Sequence, residues 1–125
     1  MTSLTCYCGL EKPFAHCCEP YINGIKKAPT AQVLMRSRYS AYVIHAADYL
    51  WETTAPKERR HHNKAAILEW AKSNQWLKLE MLNATETTVE FKAYYLDSLL
   101  TAQVHYEKST FVQESGSWYY VDGEY

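Results

Sequence analysis

All four cysteines of this chain fall within its first eighteen residues, as Cys6, Cys8, Cys17 and Cys18. The order is a Cys-x-Cys pair, eight intervening residues and a vicinal Cys-Cys pair. Thiolates surround zinc as a tetrahedron with metal–sulfur bonds of about 2.3 Å, and four of them close a structural site completely. Gly9 permits a sharp reversal after the first pair, and Lys12-Pro13-Phe14-Ala15 brings the chain back to offer the second. Two disulfides or a set of redox thiols form the competing reading. Neighbouring cysteines rarely reach disulfide geometry without strain, so one structural Zn2+ per chain is expected, held by Cys6, Cys8, Cys17 and Cys18. His16 stands close by in sequence, but four sulfurs already fill the tetrahedron and leave no position for substrate.

A segment of this length cannot bury a core of its own, so residues 1–28 must be fixed by the metal and by the larger part of the chain. The stretch Met1-Thr2-Ser3-Leu4-Thr5-Cys6 has neither a basic region nor an apolar run that would direct export. A cytoplasmic location is expected, where reducing conditions keep thiols available for metal. The chain has 125 residues, enough for one compact domain with a small appendage, and it is rich in Tyr (11) and Trp (4). Its formal net charge is −1, and a four-thiolate zinc site would take it to about −3. That balance argues against broad nucleic-acid or membrane-surface binding, and no apolar run approaches the ~20 residues of a bilayer span.

Residues 29–125 contain no cysteine and show two successive periodicities. Thr30 is placed to cap a helix over residues 31–46, whose broad apolar face carries Ala31, Leu34, Met35, Tyr39, Ala41, Tyr42 and Ala46. Asp48 can start a short second helix ending near Pro56, and Asn63 can cap a third over residues 64–73, with Ile67, Leu68, Trp70 and Ala71 inward. After Gln75 the period falls to two. Leu77, Leu79 and Met81 alternate with Lys78 and Glu80, and Val89, Phe91, Ala93 and Tyr95 alternate with Glu90, Lys92 and Tyr94. A third strand is expected near residues 101–113, a hairpin turn at Glu114-Ser115-Gly116-Ser117, and a fourth strand from Trp118 to Val121. Helices first and an antiparallel meander afterwards make an α+β domain, with helices packed on one face of a sheet.

Cys6-Tyr7-Cys8-Gly9, Lys12-Pro13 and Cys17-Cys18 resemble the SEC-C motif, the zinc knuckle at the C-terminus of the SecA translocase motor. Leu10-Glu11 stand where that motif usually has a Ser-Gly pair. Pro29-Thr30-Ala31 and Leu34-Met35-Arg36-Ser37-Arg38-Tyr39-Ser40-Ala41-Tyr42 look like the signature of the YchJ-like family. So do Ala47-Asp48-Tyr49-Leu50, Val89-Glu90-Phe91 and Trp118-Tyr119-Tyr120-Val121-Asp122-Gly123. The resemblance implies a knuckle over residues 1–28 and a cone-shaped nuclear-transport-factor-2-like domain over residues 29–125, with a pocket at its open end. It also implies contact of the knuckle with a SecB-like chaperone or the ribosome. Many members carry His-Pro where this chain has Ala55-Pro56, and longer members carry a second knuckle after the sheet.

Arg38 is the most informative residue of the second part. It falls near the centre of the apolar helix face, where a guanidinium must pair with a carboxylate or line a polar cavity. Glu107 and Asp122, on strands expected to face the helices, are its candidate partners. The candidate pocket is therefore Arg38, Tyr39, Tyr42, Glu107, Tyr120 and Asp122, with Tyr49, Trp51 and Tyr119 as further aromatic wall. Arg36 is expected to reach solvent. His45, read on the Arg38 face, and His105 are candidate acid–base groups beside Glu107. The basic run Lys57–Lys64 reads as a solvated loop, with ribosomal RNA as its alternative contact.

Two functions are compatible with these residues. In the first the chain is a non-catalytic adaptor whose knuckle captures a protein or ribosomal partner. In the second the cavity of the larger domain binds or transforms a small molecule. The residues favour the first and lean away from catalysis. An open cavity with convergent polar groups would favour the second.

Overall fold

The structure, a computed structural model, describes residues 5–124. A 3-10 turn, Phe14–His16, and a single turn of helix, α1 (Glu19–Ile22), lead to α2 (Ala31–Val43), α3 (Ala47–Glu52), a second 3-10 segment (Pro56–His61) and α4 (Lys64–Ser73). Four strands complete the chain, β1 (Gln75–Ala84), β2 (Thr88–Leu96), β3 (Ala102–Glu114) and β4 (Ser117–Glu124). They pair in sequence order as an antiparallel meander. The expected α+β architecture is present, with helices against one face of the sheet.

Local chemistry sets the helix starts. Thr30 Oγ1 accepts from Val33 N at 3.1 Å and Asn63 Oδ1 from Ala66 N at 3.1 Å, each satisfying a first-turn amide. The end of α2 differs from expectation. The helix stops at Val43, because His45 turns to φ +63° while Ala46 N donates to Ala41 O and His45 N to Tyr42 O. That is a Schellman closure with histidine in the left-handed position usually taken by glycine. It removes His45 from the Arg38 face and leaves it exposed.

The core lies between α2 and the sheet. Leu34, Met35 and Tyr39 pack on Val89, Phe91 and Ala93 of β2, Phe111 of β3, and Trp118 and Tyr120 of β4. In β2 the inward row is the expected one. In β1 Leu79 and Met81 face the core as expected, but the pairing is irregular after Trp76 and again after Met81. Leu77 falls in the first irregularity and is turned out, 54% exposed, while Trp76 packs inward in its place. No helix among the described residues is long and apolar enough to cross a membrane.

Candidate metal centre and candidate binding cavity

Cys6 and Cys8 sit on a tight turn closed by Gly9 N donating to Cys6 O at 3.2 Å, with Gly9 at φ +93°, a conformation that glycine adopts without strain. Cys6 N in turn donates to Lys12 O at 2.7 Å, so the chain doubles back. The Phe14–His16 turn then delivers Cys17, and Cys18 heads α1. All four cysteines are free thiols, and their sulfurs lie within 4.8 Å of one another. A tetrahedral thiolate site with bonds of about 2.3 Å has sulfur–sulfur edges of about 3.8 Å. Cys8 Sγ and Cys17 Sγ are 3.7 Å apart.

The protonation of the cluster points the same way. Hydrogen bonds from Cys18 and Cys8 hold the Cys6 thiol far below its ordinary range. Burial, with the negative charge of Cys8, pushes Cys17 up to about 12. Cys18 is also raised, first by its hydrogen bond to Cys6. Sulfurs this close share protons rather than ionise together, and a cation is what allows all four to become thiolates. The donor set fits a metal ion.

The knuckle is docked rather than tethered. Arg36 Nη1 donates to Cys8 O at 2.7 Å, Cys6 Sγ meets Ser40 Oγ at 3.6 Å, and Leu79 packs against the cysteines. Arg36 thus binds the knuckle instead of reaching solvent. The expectation failed because helical periodicity places Arg36 off the apolar face without showing that a second layer covers that side.

Across α2 from the knuckle lies a cavity of about 340 Å³. Of the expected residues, Arg38, Tyr39, Tyr42, Glu107 and Tyr120 line it. Asp122 does not: it is exposed and pairs with Thr110. The reason is a bulge in β4, where Phe111 pairs with Tyr120 and Thr110 with Asp122, so that Val121 is inserted between them. The inward row past Tyr120 therefore continues at Gly123. A Cβ at that position would stand 2.1 Å from Glu107 Oε2, so only glycine leaves room for the carboxylate. Tyr49, Trp51 and Tyr119 also lie outside the cavity wall. Tyr49 bonds Ser37 Oγ at 2.7 Å, and Trp51 packs beneath Arg59 and Lys64. Arg59 of the basic run is itself tied to the carbonyls of Thr54 and Glu52.

Arg38 is 6% exposed, and neither expected carboxylate pairs with it. Its Nη1 donates to Leu50 O at 2.9 Å and to Thr53 Oγ1 at 2.7 Å, at the end of α3, and its guanidinium lies 4.6 Å from the centre of the Tyr120 ring. Among the described residues no carboxylate lies within 4.0 Å of it and no hydrogen bond engages its Nε or Nη2. Glu107, 7% exposed, is satisfied separately. It accepts from His105 Nε2 at 2.8 Å, Ser109 Oγ at 2.5 Å and Tyr120 OH at 2.9 Å. Burial pushes its carboxyl up, but these three hydrogen bonds outweigh burial and hold it below the ordinary carboxylate value.

Thr54, His62, Trp70 and Ser109 complete the polar and aromatic wall and were not singled out from sequence as pocket residues. Ser109 was within reach, two residues along the strand from Glu107. His62 had no signal, since it stands in an irregular segment between helices. Burial and the charge of Arg38 hold His62 below its ordinary value, so it is neutral at pH 7.

Comparison with known proteins agrees with this architecture. Residues 30–123 match the family model described as YchJ, middle NTF2-like domain. A UPF0225 protein of Geobacter sulfurreducens is 41% identical over 98% of this chain and 80% of its own length. One from Photorhabdus laumondii is 42% identical over 98% and 81%. The solution structure of a SEC-C motif containing protein from Rhodopseudomonas palustris superposes with a TM-score of 0.89 at 34% identity, covering 97% of this chain and 98% of that one. The crystal structure of a SEC-C motif containing protein from Psychrobacter arcticus gives 0.78 at 30% identity, covering 94% and 80%. With a cysteine knuckle docked on a helix-and-sheet domain that matches the family model along most of its length, this chain belongs to the YchJ-like family.

Proposed function

We propose that this chain is a zinc-stabilised binding protein whose cavity takes a small organic anion at Arg38. The observation that carries the reading is the half-used guanidinium: among the described residues Nη1 alone is held, at the end of α3, and Arg38 lines a cavity with no carboxylate within 4.0 Å of it. No fully buried side-chain polar atom lacks a partner among the described residues, so the remaining guanidinium nitrogens are accessible, and an anion that displaces water from them gains a charge-assisted pair. The cavity volume falls at the lower end of the range for small-molecule sites. Zinc is the metal that suits four thiolates in a closed tetrahedron, and a reducing cytoplasm suits a site of free thiols. In this arrangement Cys6, Cys8, Cys17 and Cys18 hold the ion, which supplies folding energy to the knuckle and has no position left for chemistry. Metal analysis of the purified chain should return one zinc per molecule.

The test is a titration of the full chain with acetate, benzoate and inorganic phosphate, monitored by amide and side-chain resonances. At least one anion should shift residues of the cavity wall, and Arg38→Gln should weaken it tenfold or more. Binding unchanged by that substitution would refute the reading.

A second reading keeps the knuckle as a partner-docking surface, with a protein or ribosomal partner. It is favoured by Tyr7, 42% exposed, whose ring lies 5.2 Å from that of Phe14 at a tilt of 59°. Capture of a partner by the full chain, abolished by Tyr7→Ser with the fold intact, would support it.

A further inference from the structure

Two groups of wall residues differ in chemistry. Arg38, Thr54, His62 and Tyr120 are drawn together by the backbone bridge between Thr54 and Tyr120, by the guanidinium over the Tyr120 ring and by the His62 ring 6.4 Å from it. Tyr42, Trp70 and Trp76 pack with ring centroids 5.0 to 5.7 Å apart. Trp70 lines the cavity and is 40% exposed although it belongs to this cluster.

We infer that the cavity takes a small aromatic monocarboxylate, with its carboxylate on the Nε–Nη2 edge of Arg38 and its ring against Trp70 and Tyr42. This rests on the anion-binding reading above and adds the class of ligand.

Charge sets the monoanion. Among the described residues Arg38 is the one arginine or lysine in the wall, His62 is held below its ordinary value by burial and by Arg38, and Glu107 already carries a negative charge satisfied by three donors. A second negative charge on the ligand would meet Glu107 with no further fixed cation to offset it. Geometry selects the carboxylate, since the two parallel N–H groups of a guanidinium edge match its two oxygens. The rings select the body. Tyr42 and Trp70 meet edge to face at 86°, and Trp70 and Trp76 at 67°. A further flat ring extends this packing, and aromatic pairs gain beyond the area they bury. A saturated ring of similar size gains the area term only. Glu107 is a positioning residue in this scheme: it holds His105 and Tyr120 in the wall and keeps its own charge away from the ligand.

The test uses the zinc-loaded full chain and four probes: phenylacetate, cyclohexylacetate, benzyl alcohol and inorganic phosphate. The indole N–H resonances of Trp70 and Trp76 report occupancy. Phenylacetate should shift both and bind about fivefold more tightly than cyclohexylacetate. It should exceed benzyl alcohol by about tenfold or more. Trp70→Leu, at a partly exposed position, should bring phenylacetate down to the level of cyclohexylacetate. Equal affinity for the two acids would overturn the aromatic ligand while leaving an anion site at Arg38. Tighter binding of phosphate would overturn the monocarboxylate. If none of the three anions moves either resonance, the anion-binding reading falls with it.

Discussion

The knuckle and the cavity lie on opposite sides of α2 and deal with polar groups in opposite ways. In the knuckle, four donors of one kind crowd within 4.8 Å and need a shared cation from outside the chain. In the cavity, a cation and an anion sit near one another without pairing, each satisfied by neutral dipoles: Arg38 by Leu50 O and Thr53 Oγ1, Glu107 by His105, Ser109 and Tyr120. The knuckle is therefore a site that closes once its ion is bound. The cavity retains bonding capacity, on one edge of Arg38. Because Arg36 and Ser40 hold the knuckle while Met35, Arg38, Tyr39 and Tyr42 face the cavity, a single helix connects the two.

The largest effect should come from breaking the knuckle. Removing the metal with a chelator, or substituting Cys17→Ser, should lower Tm by roughly 10 °C, because binding energy at such a site is folding energy. Hydrogen exchange should then show residues 5–28 losing protection while β2 and β3 keep theirs. Full retention of anion affinity by the stripped protein would mean that α2 does not couple the two regions.

A smaller effect is expected at the far wall of the cavity. Gly123→Ala puts a methyl group where the Glu107 side chain lies and should cost about 1–3 kcal/mol in urea denaturation. The knuckle should keep its metal, since Gly123 and the cysteines belong to different ends of the chain. Wild-type stability would show that Glu107 has room to move and that its three hydrogen bonds are not a rigid set.

The smallest is a change of slope with pH. Glu107 has a folded pKa below its ordinary 4.5, so its contribution is present above that value and is lost as pH falls through the lowered one. Glu107→Gln should flatten the dependence of Tm on pH below about 4.5 and leave the higher range nearly unchanged. An unaltered acid limb would assign that dependence to other carboxylates.

Much of the fold could be read residue by residue. Thr30 and Asn63 do cap helices, and Val89, Phe91 and Ala93 do form an inward row, because capping and strand alternation act over two or three residues. The gathering of the four cysteines was equally legible, since all four sulfurs come from one short segment. The errors share a different cause. His45 ended a helix in a left-handed conformation with no glycine to announce it, the irregularity at Leu77 turned that residue out and Trp76 in, and the bulge at Val121 reversed the face of the residues beyond it.

What the sequence alone determined is thus what short-range chemistry determines: a four-cysteine cluster, capped helices, alternating strands and their order. The tertiary structure decided which groups meet. It placed Gly123 rather than Asp122 beside Glu107, brought His62 and Trp70 to the cavity wall, and left Arg38 without the carboxylate that its position had led us to expect. The physical reason is that a bulge depends on pairing between strands, and the satisfaction of a buried charge depends on every element around it. Neither is encoded in the spacing of residues along a single segment.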